Sequence, residues 1–171
     1  EAAVSAAGQA EPVTAGYAEG RAELTRDRRR PSPHAHTDPR LPVIGLRRTD
    51  RTFVAVLGNY AMHNLGLGSS CRLISADMDG VAAEYARARL AGKPVSLMTA
   101  GAGGNLDPRC ISGDTAVMER QARKLGKALV AAARAGRRCP GTLRSALATL
   151  RLPLMAMSRR ELLAEYGRSI G

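Results

Sequence analysis

An apolar stripe decides most about how this chain can fold. Met118, Ala122, Leu125, Leu129 and Ala132 recur at alternating intervals of four and three residues, with Arg and Lys between them. That spacing lines up one face of an α-helix. A helix gains little by itself in water and has to lay such a face on a second apolar layer. Ser112 or Asp114 is placed to cap its first turn, and Gly136 to end it.

The second layer is sought in strand-like runs. Arg51 to Leu57 is the strongest, with a continuous β-branched and apolar run, and Leu41 to Leu46 precedes it, weakened by Pro42 and Gly45. Arg48-Thr49-Asp50 is a plausible hairpin connection between them. Val95 to Met98 reads as a short buried strand, and Thr142 to Leu152 alternates enough for another. Thr14 to Arg21 is turn-rich or strand-like, and the Ala-rich first ten residues read as the tail of a helix. A helix is expected from Asp77 to about Leu90, with Asp77 and Asp79 at its positive end and Gly92-Lys93-Pro94 as its stop. Ser158 with Glu161 is a capping-box pattern for a last short helix. Arg26 to Pro39 carries basic residues and three prolines, which mark a loop. The order β-β-α-β-α-β-α predicts an α/β fold, a mixed sheet with flanking helices, as a partial domain.

Composition limits what the core and surface can do. With no Trp and one Phe, the core must be built from Ala, Leu, Val and Met, and aromatic platforms for base stacking are scarce. The net charge of +11 allows phosphate contacts, above all through Arg26 to Arg30, but no nucleic-acid motif accompanies it. Specific nucleic-acid binding is therefore not expected. Cys71, Cys110 and Cys139 are widely spaced and form no CxxC pair, so neither a disulfide framework nor a zinc knot is expected. No run approaches the roughly 18–20 apolar residues of a membrane span, and no signal peptide is visible.

Two segments stand out as candidate chemistry. His63 follows a strand in Asn59-Tyr-Ala-Met-His63, a place from which an imidazole can hold a metal, move a proton or simply bond its own loop. The glycine-rich loop Gly101 to Pro108 also follows a strand, where α/β proteins put binding groups. Its glycines can turn amides toward a ligand or make a tight turn under the next helix. It is neither a Walker A loop nor GxGxxG, since Leu106 takes the third glycine's place. His34-Ala-His36 is a weak metal pair among prolines, no GxSxG elbow is present, and Cys71 has no local reason to be reactive.

These residues resemble a known family. Asn59-Tyr-Ala-Met-His63, Leu73-Ile-Ser-Ala-Asp77 and Met98-Thr-Ala-Gly-Ala-Gly-Gly-Asn-Leu-Asp-Pro108 occur in the order and spacing of the amino-terminal catalytic domain of neutral/alkaline non-lysosomal ceramidases. The lead-in from Gly20-Arg21 through Asp38-Pro39 is similar too, so the resemblance covers roughly residues 14 to 135. Asn64 stands where that family carries Pro, and Gly101 where ceramidases carry Ser. The resemblance implies a zinc-dependent amidohydrolase acting on the N-acyl bond of a lipid-like amide, with His63 as one zinc ligand. It implies Gly101, Gly103, Gly104 and Asn105 as a substrate-binding loop, and a secreted or membrane-associated setting. The net charge of +11 would help such an enzyme approach an anionic membrane surface. The other zinc ligands of the family find no match, so the chain is expected to be an interior piece with an incomplete zinc site, inactive alone. In that reading residues 1–13 are a lead-in, 14–152 the central part of the catalytic domain and 153–171 the start of a following segment. The alternative is a non-enzymatic basic module that binds anionic surfaces or nucleic acid.

Overall fold

The structure, a computed structural model, describes every residue except 31–33, 143, 152, 154, 155 and 171, and only the backbone of 165–170. The chain forms two compact units, Glu1–Pro140 and Gly141–Gly171.

The first unit runs α1 (Ala2–Gly8), β1 (Thr14–Arg21), β2 (Thr25–Asp27), β3 (Arg40–Arg47), β4 (Phe53–Tyr60), α2 (Asp77–Arg89), β5 (Val95–Ala100), β6 (Leu106–Pro108), α3 (Thr115–Ala135) and β7 (Arg137–Arg138). Five strands make a mixed sheet in the order β5-β4-β3-β1-β7, parallel only between β4 and β5. The expected α/β architecture is what forms. A two-stranded antiparallel ribbon, β2 with β6, stands beside it.

The apolar stripe of α3 does what its spacing requires. Leu125 and Leu129 are fully buried, and Asp114 caps the helix by accepting from the Ala116 amide at 2.7 Å. Close approach comes from small residues. A methyl on Gly58 would stand 2.9 Å from Leu129, one on Gly20 3.0 Å from Ala132, and one on Gly126 2.9 Å from Tyr85 of α2. Leu41, Val43 and Val56 of the sheet and Ala82 and Ala86 of α2 complete this layer.

The other face of the sheet is also apolar. Cross-strand register aligns Tyr17, Ile44, Leu57 and Leu97 in one row and Ala15, Leu46, Ala55 and Val95 in the next. Tyr17, Ile44, Leu57, Val95 and Leu97 are all exposed. This corrects the expectation that Val95 to Met98 is buried. β5 ends the sheet, and its Val95 and Leu97 are 62% and 55% exposed.

Two further differences have plain causes. The stretch read as a loop from Arg26 begins within β2, because Thr25 to Asp27 find partners in Pro108 to Leu106, eighty residues away and invisible to local signals. Residues 144–151 form no strand, although 142–152 alternate. Leu147 and Leu150 are 98% and 78% exposed, and alternation without a partner strand leaves the backbone unpaired. The ends of that stretch, 143 and 152, lie outside the described residues. The second unit carries α4 (Arg159–Ile170), opened by the capping box read from sequence. Ser158 N donates to Glu161 Oε2 at 2.8 Å, and Glu161 N to Ser158 Oγ at 3.3 Å.

Candidate functional site

β4 and β5 are parallel, so both release the chain at the same end of the sheet, the end at which α/β proteins place ligands. β4 leads to Ala61, Met62 and His63, and β5 to the glycine loop. The two exits are tied together. Gly101 N donates to Tyr60 O at 2.9 Å, and His63 N to Leu106 O at 2.8 Å. The sequence candidates therefore meet in one place.

The glycines have distinct surroundings. A methyl on Gly101 would meet Asn59 Oδ1 at 2.9 Å and Ala61 N at 3.0 Å, and one on Gly103 would meet Met62 N at 2.8 Å. Those two positions allow backbone to lie on backbone. Gly104 has nothing within 4 Å of such a methyl, and its carbonyl accepts from Arg28 Nη2 at 3.3 Å. Asn105 turns its side-chain amide to the His36 carbonyl at 3.3 Å, so the His34–His36 segment touches this loop through backbone. Gly103→Ala is expected to cost about 1–3 kcal/mol, because the new methyl meets main chain that cannot swing aside. Gly104→Ala should stay within about 0.5 kcal/mol of the parent. Urea denaturation of the two variants checks the difference.

The His63 ring is half-buried, and its Nε2 is buried with no hydrogen-bond partner among the described residues. Asp107, on β6, is 8% exposed, and its Oδ1 is also buried without a hydrogen bond. Its nearest cation is Arg28, whose Nε lies 3.8 Å away. Unsatisfied buried polar atoms are rare in folded proteins, and an ion or a catalytic role is one explanation for them. Arg47 Nε on β3 and Ser96 Oγ on β5 are in the same state among the described residues. Asp107 was missed by sequence reasoning. It sits in a loop-like string whose burial only the β2–β6 pairing creates.

A second cluster holds the His63 segment in place. Asp77 is buried and has a φ of 48°, a left-handed conformation that Asp tolerates better than most residues. Its Oδ1 accepts from Gly66 N at 2.8 Å and Met78 N at 2.6 Å, and its Oδ2 from Leu67 N at 3.0 Å. Asn64, next to His63, accepts from Asp79 N at 3.0 Å through Oδ1 and donates to Ala76 O at 3.0 Å. The sequence suggested that Asp77 caps free amides. Two of the three belong to the His63 loop rather than to its own helix. Burial, and then the charge of Asp77, raise the pKa of Asp79. On the other side, Tyr60 donates its hydroxyl to Ala22 O at 2.6 Å and accepts from Leu24 N at 3.1 Å, which fixes the start of the β2–β6 ribbon.

Zinc, the metal that the resemblance implies, can be tested against these donors. The orphaned Nε2 suits a ligand, but no group of three or more His, Cys, Asp or Glu among the described residues could hold a metal ion. A zinc site takes at least three protein ligands. His34 and His36 are exposed, and Cys71, Cys110 and Cys139 are free.

Two solved structures are similar in fold. The neutral ceramidase from Pseudomonas aeruginosa matches 74% of this chain at a TM-score of 0.57 and 19% identity. A ceramidase complexed with C2 matches the same share at 0.58 and 19%. The fold resembles part of these ceramidase structures. At that identity the likeness is one of fold, and the chain spans 22% of the length of either structure. No protein-family model and no curated protein matches the chain. The ceramidase-like fold places His63 and the glycine loop at the ends of its parallel strand pair.

Proposed function

We propose that this chain is part of a ceramidase-like amidohydrolase, in which His63 is one zinc ligand and the loop from Gly101 to Asn105 forms one wall of the substrate cleft. The substrate is a lipid-like amide cleaved at its N-acyl bond. The observation that carries this reading is the unpartnered, buried Nε2 of His63 beside that loop, at the exit of two parallel strands. The apolar rows open on the far face of the sheet support it too, since they suit packing against further protein. When bound, zinc would lower the pKa of water to about 7 and polarise the amide carbonyl. The chain's own part is narrower. Asp77 and Asn64 fix the segment that follows His63, and Gly103 lets the cleft wall lie flat on Met62. In this reading the remaining ligands come from residues outside these 171.

The test compares this chain with a longer product of the natural reading frame. The longer protein should hold zinc in stoichiometric amount by metal analysis and hydrolyse an N-acyl lipid amide. This chain alone should do neither. His63→Ala in the longer protein should abolish stoichiometric zinc while leaving its circular dichroism spectrum unchanged. Retention of zinc by that folded variant would remove His63 from the site.

A further inference from the structure

The α2–α3 layer carries a feature that the proposed chemistry does not use. Its outer side forms a groove of about 540 Å³ lined by Tyr85, Arg89, Arg120, Arg123, Lys124 and Lys127. Arg120, Lys124 and Lys127 follow one another at helical spacing, so three cations run along one side of α3 over roughly 10 Å. None of the salt bridges among the described residues involves these three; the nearby acids Glu84 and Glu119 pair instead with Arg87 at 3.1 Å and Arg123 at 3.0 Å. Arg89 closes the groove by stacking on the Tyr85 ring at 3.6 Å. The charge therefore stands unneutralised on two packed helices, not on a mobile arm.

We propose that this groove is a docking surface for an anionic lipid bilayer. Charge complementarity selects a polyanion, and shape selects which one. A helix that reads nucleic acid enters a major groove about 12 Å wide. α3 has α2 packed along its flank and the sheet beneath it, so it cannot project that far. Single strands need aromatic faces, and the one aromatic ring here is already covered by Arg89. A broad charged plane meets both helices at once, and clustered Lys and Arg on a helix face suit acidic headgroups. The apolar face of the sheet lies on the opposite side, so further protein packed there would leave this groove in solvent. The inference stands independently of the zinc and amidase reading.

The test is co-sedimentation of the full chain with vesicles of phosphatidylcholine alone and of equimolar phosphatidylcholine and phosphatidylserine, without substrate or metal. Binding is expected only to the acidic vesicles, and it should weaken steeply with salt. The neutral set R120Q/K124Q/K127Q, which keeps good helix formers and guards against a folding defect, should lose on the order of a hundredfold in affinity, given the contribution of each basic side chain near such a surface. The triple variant R120E/K124E/K127E, which reverses the charges, should lose more than about a hundredfold. R51E/R72E/R138E makes the same change in net charge at exposed positions elsewhere and should stay within about fivefold of the parent. Three results would overturn the proposal: no binding of the parent to acidic vesicles, an equal loss in the control triple, or tighter binding to a DNA duplex at the same salt.

Discussion

Asp77→Ala is expected to destabilise the protein by about 3–5 kcal/mol, because one buried carboxylate satisfies three main-chain amides and each orphaned donor costs about 1–3 kcal/mol. The amides are those of Gly66, Leu67 and Met78, and they belong to two segments that this side chain joins together with Asn64. Alanine would also have to take up a φ of 48°, where a side chain without local hydrogen bonds is strained. Asp77→Asn keeps one acceptor oxygen and turns an N–H toward a third amide, so its loss should be about half as large. Urea denaturation followed by circular dichroism measures both.

The same substitution has a pH signature. Asp79 titrates above its usual range, first because of burial and second because of Asp77. A raised folded pKa stabilises below the unfolded pKa, and that contribution is lost as pH rises through the folded value. Removing the Asp77 charge should therefore lower the Asp79 pKa and shrink this loss. Titration of the Asp79 carboxyl by NMR in Asp77→Asn checks the sign. Because the amides that Asp77 holds begin at Gly66, three residues after His63, the ring signals of His63 should shift as well, while those of the exposed His34 stay put.

Leu125→Ala is the second large effect, expected at about 3–5 kcal/mol, the upper part of the range for buried leucines. Leu125 has no exposed surface, and the core cluster it joins is rich in small residues, Ala82, Ala86, Ala122, Ala132 and Ala133 among them. Short side chains cannot swing into the space that is left. Filling it requires the two helix backbones to move, and Gly126 already rests on Tyr85. A natural domain has about 5–15 kcal/mol to lose, so the variant should show a large drop in denaturation midpoint. Leu125→Met, which nearly conserves volume, should cost less than about 1.5 kcal/mol. Equal stability of Leu125→Ala and the parent would mean that α3 is not packed as described.

Much of the fold was legible because it is written locally. The stripe of α3, the Asp114 cap, the Ser158–Glu161 box and the strands around Leu41 and Val56 all depend on residues within a few positions of one another. The approach of His63 to the glycine loop was legible at one remove, through the ordered motifs that resemble ceramidases. The roles of Asp77 and Asn64 were only half legible. A cap on α2 can be read from an acid at a helix start, but its partners Gly66 and Leu67 lie ten and more residues earlier in a loop with no periodicity.

The sequence by itself determined which faces are apolar, where helices begin and the α/β class, since periodicity and capping act over one or two turns. The tertiary structure alone decided that Thr25–Asp27 pairs with Leu106–Pro108, that β5 is an exposed edge, and that residues 144–151 stay out of the sheet. It also decided that His63 Nε2 and Asp107 Oδ1 lack hydrogen-bond partners among the described residues. Strand pairing and hydrogen-bond satisfaction depend on groups far apart in the chain, and no local pattern records which remote donor arrives or fails to arrive.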